Sequence, residues 1–106
     1  MSSAGESLDA LGNPHRRAIV ELLASRPRSV RELADDLPIS RPAVSRHLRL
    51  LSAAGLVQDQ HVGTRNLYRL NEAGLAPVRS YLEEMWGTAA ARFRLFAENT
   101  KGTNDR

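Results

Sequence analysis

Residues 40–57 read SRPAVSRHLRLLSAAGLV, a stretch that interleaves three arginines and a histidine with leucine, valine and alanine. Helical spacing sorts this mixture into two faces. Val44, Leu48 and Leu51 stand at i, i+4 and i+7 and form one apolar stripe. Pro42, Ser45, Arg46 and Arg49 repeat at i, i+3, i+4 and i+7 on another face. Ser40 suits the N-cap and Gly55 the C-terminal stop. The spacing therefore predicts a helix that plugs one face into a core and offers the other to a polyanion.

Upstream, SVRELADDL carries Ser29 with Glu32 three residues on, the pattern of a capping box, and an inner face of Val30, Leu33, Ala34 and Leu37. The short LPIS turn joins this helix to the one starting at Ser40. Before it, PHRRAIVELLASRP places Ala18, Ile19, Leu22 and Leu23 at helical spacing, with Pro14 opening the helix and Pro27 ending it. SLDALGNP reads as a short first helix with Leu8 and Leu11 on one face, stopped by Gly12 and Asn13.

Downstream, LVQDQHV and RNLYRL flank a GT pair, which predicts a β-hairpin with Gly63 at its tip. Asn71 caps the last element. A long helix is expected from Pro77 to about Asn99, roughly 33 Å at 1.5 Å per residue. Its stripe is Val78, Leu82, Met85, Ala89, Phe93 and Phe96, widened by Tyr81 and Trp86.

The chain has 106 residues, enough for one domain: small, polar ends expected to be flexible at 1–7 and 99–106, and a folded unit over 8–98. It holds no cysteine, which excludes disulfides and thiolate metal sites. Basic residues number 15 against 12 acidic, and Lys101 is the sole lysine. Arginine suits phosphate and guanine through its planar fork, although a coding bias explains the same preference. No run approaches the ~18 apolar residues of a membrane span. MSSAGES lacks the basic start and apolar stretch of a signal peptide, so a soluble cytoplasmic protein is expected.

The expected fold is mainly α with a small β-hairpin wing: a winged helix-turn-helix in the order α-α-α-α-β-β-α, dimerised through its terminal helices. In such a unit the second helix of the turn enters the major groove. Ser40, Arg41, Pro42, Ser45 and Arg46 lie in its first turns; Arg46 can fork onto a guanine edge, and Ser40 with the helix start can hold a phosphate. His47 and Arg49 lie further along and suit backbone phosphates. At the wing, Thr64 and Arg65, with His61 nearby, are candidates for the minor groove or its flanking phosphates, and Arg28 is a lesser one. Each arginine also has a plain alternative as solvated surface. The weight comes from the small residues beside them, the helical frame and the wing.

A domain this small cannot cover so long a last helix. Leu8, Leu11, Val78, Leu82, Met85, Trp86 and Phe93 are therefore expected to form an interface with a second copy. Catalysis has little support. His15, His47 and His61 sit on different elements, and the adjacent pairs Asp35–Asp36 and Glu83–Glu84 point their members in different directions. No cofactor is expected.

LGNPHRRAIVELLASRP, SVRELADDLPISRPAVSRHLRLLSAAGLV and VGTRNLYRLN resemble the ArsR/SmtB family of bacterial winged-helix repressors, from about Leu8 to Leu82. The resemblance implies a homodimer that binds an inverted-repeat operator on double-stranded DNA and blocks transcription of its own or an adjacent operon. Many members release DNA on binding metal. Here the places of the cysteine pair hold Ser29 and Arg31, and those of the zinc ligands hold Glu72, Gly74, Met85 and Thr88. A closed zinc site needs about four ligands, so the non-metal branch is the better match. Two alternatives stay open: a winged-helix protein–protein module, and a repressor gated by a small molecule at the dimer interface.

Overall fold

The computed structural model describes residues 3–104, with side chains from 4 to 98. The chain runs α1 (Ser3–Ala10), α2 (Pro14–Ser25), α3 (Val30–Asp36), α4 (Arg41–Ala53), β1 (Val57–Val62), β2 (Arg65–Leu70) and α5 (Glu72–Asn104). This is the winged helix-turn-helix order that the sequence predicts. The polar ends expected at 1–7 and 99–106 lie partly outside the described residues. Within them, the backbone from Ser3 and that up to Asn104 are helical.

Capping sets most of the helix starts. The Asn13 side chain accepts from the amides of His15 and Arg16, and Pro14 fills the next position, where no N–H is needed. Ser29 and Glu32 form the reciprocal capping box: Glu32 N donates to Ser29 Oγ and Ser29 N donates to a Glu32 carboxylate oxygen. Ser40 Oγ accepts from Ala43 N at the start of α4. The core gathers Ile19 and Leu23 of α2, Leu33 of α3, Val44, Leu48 and Leu51 of α4, and Leu56 and Val57 beyond it. Each such side chain contributes roughly 1.5–3 kcal/mol through burial.

The wing is a two-stranded antiparallel sheet in which Val57 faces Leu70 and Val62 faces Arg65. Gly63 has φ 63°, and among the described residues no non-glycine has positive φ, so the two-residue tip follows the type II′ pattern. Arg28 adds a bridge on the far side of β2, its N and O pairing with Tyr68 O and N at 3.0 and 2.7 Å. The wing is thereby stitched to the segment between α2 and α3.

The last helix starts at Glu72, ahead of Pro77. Pro77 ends helices where its missing N–H leaves a buried carbonyl unpaired, but here the affected carbonyl belongs to the exposed Ala73. The start is set at Asn71, whose carbonyl accepts from Gly74 N and Leu75 N. The Asn71 side chain does not cap; Nδ2 donates instead to Gly55 O at 3.1 Å. Here α5 crosses the end of α4 closely, and a Cβ on Gly74 would fall on the Gly55 carbonyl. At 33 residues, α5 is about 50 Å long. It leaves the domain as an arm: the radius of gyration is 19.3 Å, against about 13 Å for a compact chain of this length.

The first helix packs through small residues. Ala4, Ser7 and Ala10 are buried, and Ser7 Oγ donates to Ala54 O at 3.4 Å. Leu8 and Leu11, expected to form its apolar face, are only half-buried.

Two glycines of α5 give opposite expectations. Gly74→Ala lowers stability by about 1–3 kcal/mol, because the helix start must retreat from Gly55. Gly87 meets nothing within 4 Å, so Gly87→Ala raises stability by up to about 1 kcal/mol through helix propensity. Urea denaturation at one protein concentration measures both. A Gly74→Ala protein as stable as the parent contradicts the close crossing.

Candidate nucleic-acid interface

Because Val44 and Leu51 are fully buried and Leu48 is nearly so, the opposite side of α4 is held outward. Arg41, Pro42, Arg46 and Arg49 are exposed there, with Ser45 half-buried beside them. Among the described residues, none of these three arginines makes an ion pair or side-chain hydrogen bond. Arg46 and Arg49 on one rigid helix face, with Arg41 at the helix start, form an unneutralised positive surface suited to phosphates and base edges.

The start of α4 offers less than the sequence suggested. Ser40 Oγ is engaged by Ala43 N, Ser40 O accepts from Val44 N, and Pro42 has no N–H. Ser40 is exposed and serves first as a cap.

At the wing, Thr64 and Arg65 are exposed and His61 lies on the same strand pair. Arg65 Nη2 reaches Glu32 Oε1 at 3.4 Å while its side chain remains 60% exposed. A pair this exposed is worth little, so it orients the arginine without withholding it from a phosphate. Glu32 serves three partners, since Arg26 Nη1 also approaches it at 3.5 Å. Its carboxyl is held below the ordinary value chiefly by the hydrogen bond from the Ser29 amide.

Arg28, a lesser candidate for DNA, is committed elsewhere. Its Nε donates to Leu22 O, Nη2 to Ser25 Oγ and Nη1 to Asp36 Oδ2, and its side chain is only 12% exposed. It fastens the α2–α3 connection. Sequence reasoning also passed over Arg16 and Arg17. Arg16 Nε donates to Ala10 O at 2.6 Å and Arg17 Nη1 to Leu11 O at 2.8 Å, so two α2 cations cap the carboxyl end of α1. The available signal was their place one turn into a helix that starts immediately after another ends.

His47 is half-buried on the flank of α4. Its Nδ1 lies 3.4 Å from Arg16 Nη1, and the His15 ring stands 5.8 Å away, centroid to centroid. Burial first, then the charges of Arg16, His15 and Arg46, push its pKa below the ordinary 6.5.

Along α5, Trp86, Phe93 and Phe96 are 75%, 71% and 68% exposed, with Leu82 and Met85 also open. Val78 is buried within the protomer and has little surface left for a second copy. Two apolar concavities, one beside Tyr81 and Met85 and one between Trp86 and Phe93, are lined by α5 alone.

The metal positions implied by the resemblance do not suit a metal. Ser29 Oγ is used in the capping box, and no ligand-bearing side chain can stand at residue 74 against Gly55. Among the described residues, no three His, Cys, Asp or Glu side chains cluster as ligands.

The lowered His47 pKa has a definite sign in stability. The folded state resists a proton that the unfolded chain accepts near pH 6.5, so stability is full above that pH and falls on acidification toward the folded value. Thermal melts from pH 7.5 to 5 should show this loss in the parent and less of it in His47→Gln. Superimposable pH profiles contradict the assignment.

A family model described as "Bacterial regulatory protein, arsR family" matches residues 13–59, from the α2 cap into β1. The HTH-type transcriptional regulator Rv2034 of Mycobacterium tuberculosis is 51% identical over 87 residues, 82% of this chain and 81% of that protein. The HTH-type transcriptional repressor SmtB of the same species is 45% identical over 78 residues, 74% of this chain and 58% of its own length. The homodimeric winged helix-turn-helix DNA-binding domain of Mb0332 from Mycobacterium bovis superimposes with a TM-score of 0.66 at 26% identity, covering 85% of this chain and 83% of that one. With the winged architecture and the arginine face of α4 already in place, the likeness over most of its length settles the lineage: the chain belongs to the ArsR family of bacterial transcriptional regulators.

Proposed function

We propose that the protein is a homodimeric repressor that binds an inverted-repeat operator of its own or an adjacent operon, without a metal sensor site. The observation that carries this reading is the set of unpaired arginines on the outward face of α4. Arg46, with Arg41, Pro42 and Ser45, shapes base readout in the major groove. Ser40, His47 and Arg49 grip the backbone, while Thr64 and Arg65 reach the groove beside the wing. The protein acts by binding, as its DNA-binding family does, and not by catalysis.

The second copy follows from α5. A solitary arm exposing Trp86, Phe93 and Phe96 leaves an apolar surface that water penalises. Pairing α5 with its symmetry mate, with Leu8, Leu11, Leu82 and Met85 alongside, covers that surface. A two-fold arrangement also sets two copies of α4 about one DNA turn, ~34 Å, apart. The relative named as a repressor and the homodimeric domain from Mycobacterium bovis support the same reading.

Trp86→Glu is expected to sediment as a monomer at concentrations where the parent is a dimer; a dimeric Trp86→Glu protein removes Trp86 from the interface. Arg46→Ala is expected to weaken operator binding by about 1–3 kcal/mol and to relax base preference at its contact. Unchanged affinity in fluorescence anisotropy contradicts base reading by Arg46.

A further inference from the structure

The His47 ring is held from one side only. Arg16 has donors and no acceptor, so the 3.4 Å approach of its Nη1 to Nδ1 makes Nδ1 the accepting nitrogen. A neutral ring whose Nδ1 accepts carries its proton on Nε2. Among the described residues, Nε2 has no intramolecular partner. Nor does any buried side-chain nitrogen or oxygen among the described residues lack one, so Nε2 is not fully enclosed by the protein. His15 walls the ring at 5.8 Å with a 45° tilt. Arg16 is itself anchored, since its Nε donates to Ala10 O at 2.6 Å.

We infer that Arg16 is a positioning residue for DNA contact: it locks His47 of α4 so that Nε2–H is the donor presented to a backbone phosphate. This inference rests on the DNA-binding reading above. His47 follows Arg46 along α4 and lies half-buried between the inward stripe and the Arg46 side of the helix, a flank where a phosphate strand would pass. A neutral N–H donor of fixed direction sets register along the backbone, a role that a flexible cation fills less well. The Ala10 anchor adds a second consequence. Ala10 ends α1, which packs on the base of α5, so the phosphate donor on α4 is tied by one side chain to the helices proposed to hold the dimer together. Arg16 thus conveys the dimer's geometry to the DNA contact while leaving the DNA untouched itself.

Two measurements test this. The first uses the unmodified protein: nitrogen-15 spectra of its histidines at pH 7.5. The expected result is an unprotonated Nδ1 and a protonated Nε2 for His47; a proton on Nδ1 overturns the inference whatever the DNA result. The second measures anisotropy on a duplex from the DNA upstream of its own gene, with unrelated competitor DNA present, for Arg16→Met, His47→Ala and the double variant. Melting curves confirm that each variant is folded. Each single substitution is expected to weaken binding about 2- to 10-fold, the worth of one hydrogen bond. The double variant is expected to bind no more weakly than His47→Ala, because Arg16 acts only through that ring. Losses that multiply in the double variant, or an Arg16→Met protein with parental affinity, overturn the positioning role while leaving the DNA reading intact. An absence of specific binding by the parent overturns the DNA reading and the positioning role with it.

Discussion

The seating of one helix governs the molecule. Val44, Leu48 and Leu51 sink into the space between α2, α3 and the base of the wing, and this burial leaves α4 no freedom to rotate about its axis. Exposing the stripe would cost roughly 1.5–3 kcal/mol for each side chain. The outward direction of Arg46 and Arg49 is therefore a consequence of packing. A rigid scaffold is what a reading surface needs, since bidentate contacts to base edges tolerate little angular error. The capping box, the Arg28 clasp and the single-residue bridge to Tyr68 hold the surrounding frame in place around that helix.

The second organising constraint is an imbalance. The domain buries a small core, while the arm of α5 carries large apolar residues that nothing among the described residues covers. The close crossing of Gly74 over Gly55 fixes where this arm leaves the domain, and the small face of α1 lets that helix pack beside it. The same contacts that aim the arm connect, through Arg16, to the ring of His47. The elements proposed for assembly and those proposed for DNA contact are in this way joined through one side chain.

Much of this was legible in the sequence because the signals are local. The i, i+4, i+7 stripe of α4, the Ser29–Glu32 capping box and the Gly63 tip are each decided within a few residues, and each appears as read. What escaped depends on neighbours distant along the chain. Pro77 looked like a helix start because its cost depends on whether the carbonyl of Ala73 is buried, which no local pattern reveals. The buried face of α1 consists of Ala4, Ser7 and Ala10, too small to register as a hydrophobic stripe. Arg28 read as a lesser DNA candidate and Arg16 and Arg17 drew no reading, yet each is spent on a carbonyl of another segment. Charge alone does not separate a cation held by the fold from one held out for a ligand; the partner decides, and the free arginines of α4 are recognisable only once the others are accounted for.

The most direct test of the account is a mobility-shift titration of the protein on its own upstream intergenic DNA, at two salt concentrations, with zinc and with chelator. The account predicts a tight shift that unrelated DNA does not displace, that weakens steeply with salt as phosphate contacts release counterions, and that is indifferent to zinc. A shift abolished by zinc would contradict the metal-free reading. No specific shift on any genomic DNA would contradict the assignment of the α4 face to DNA.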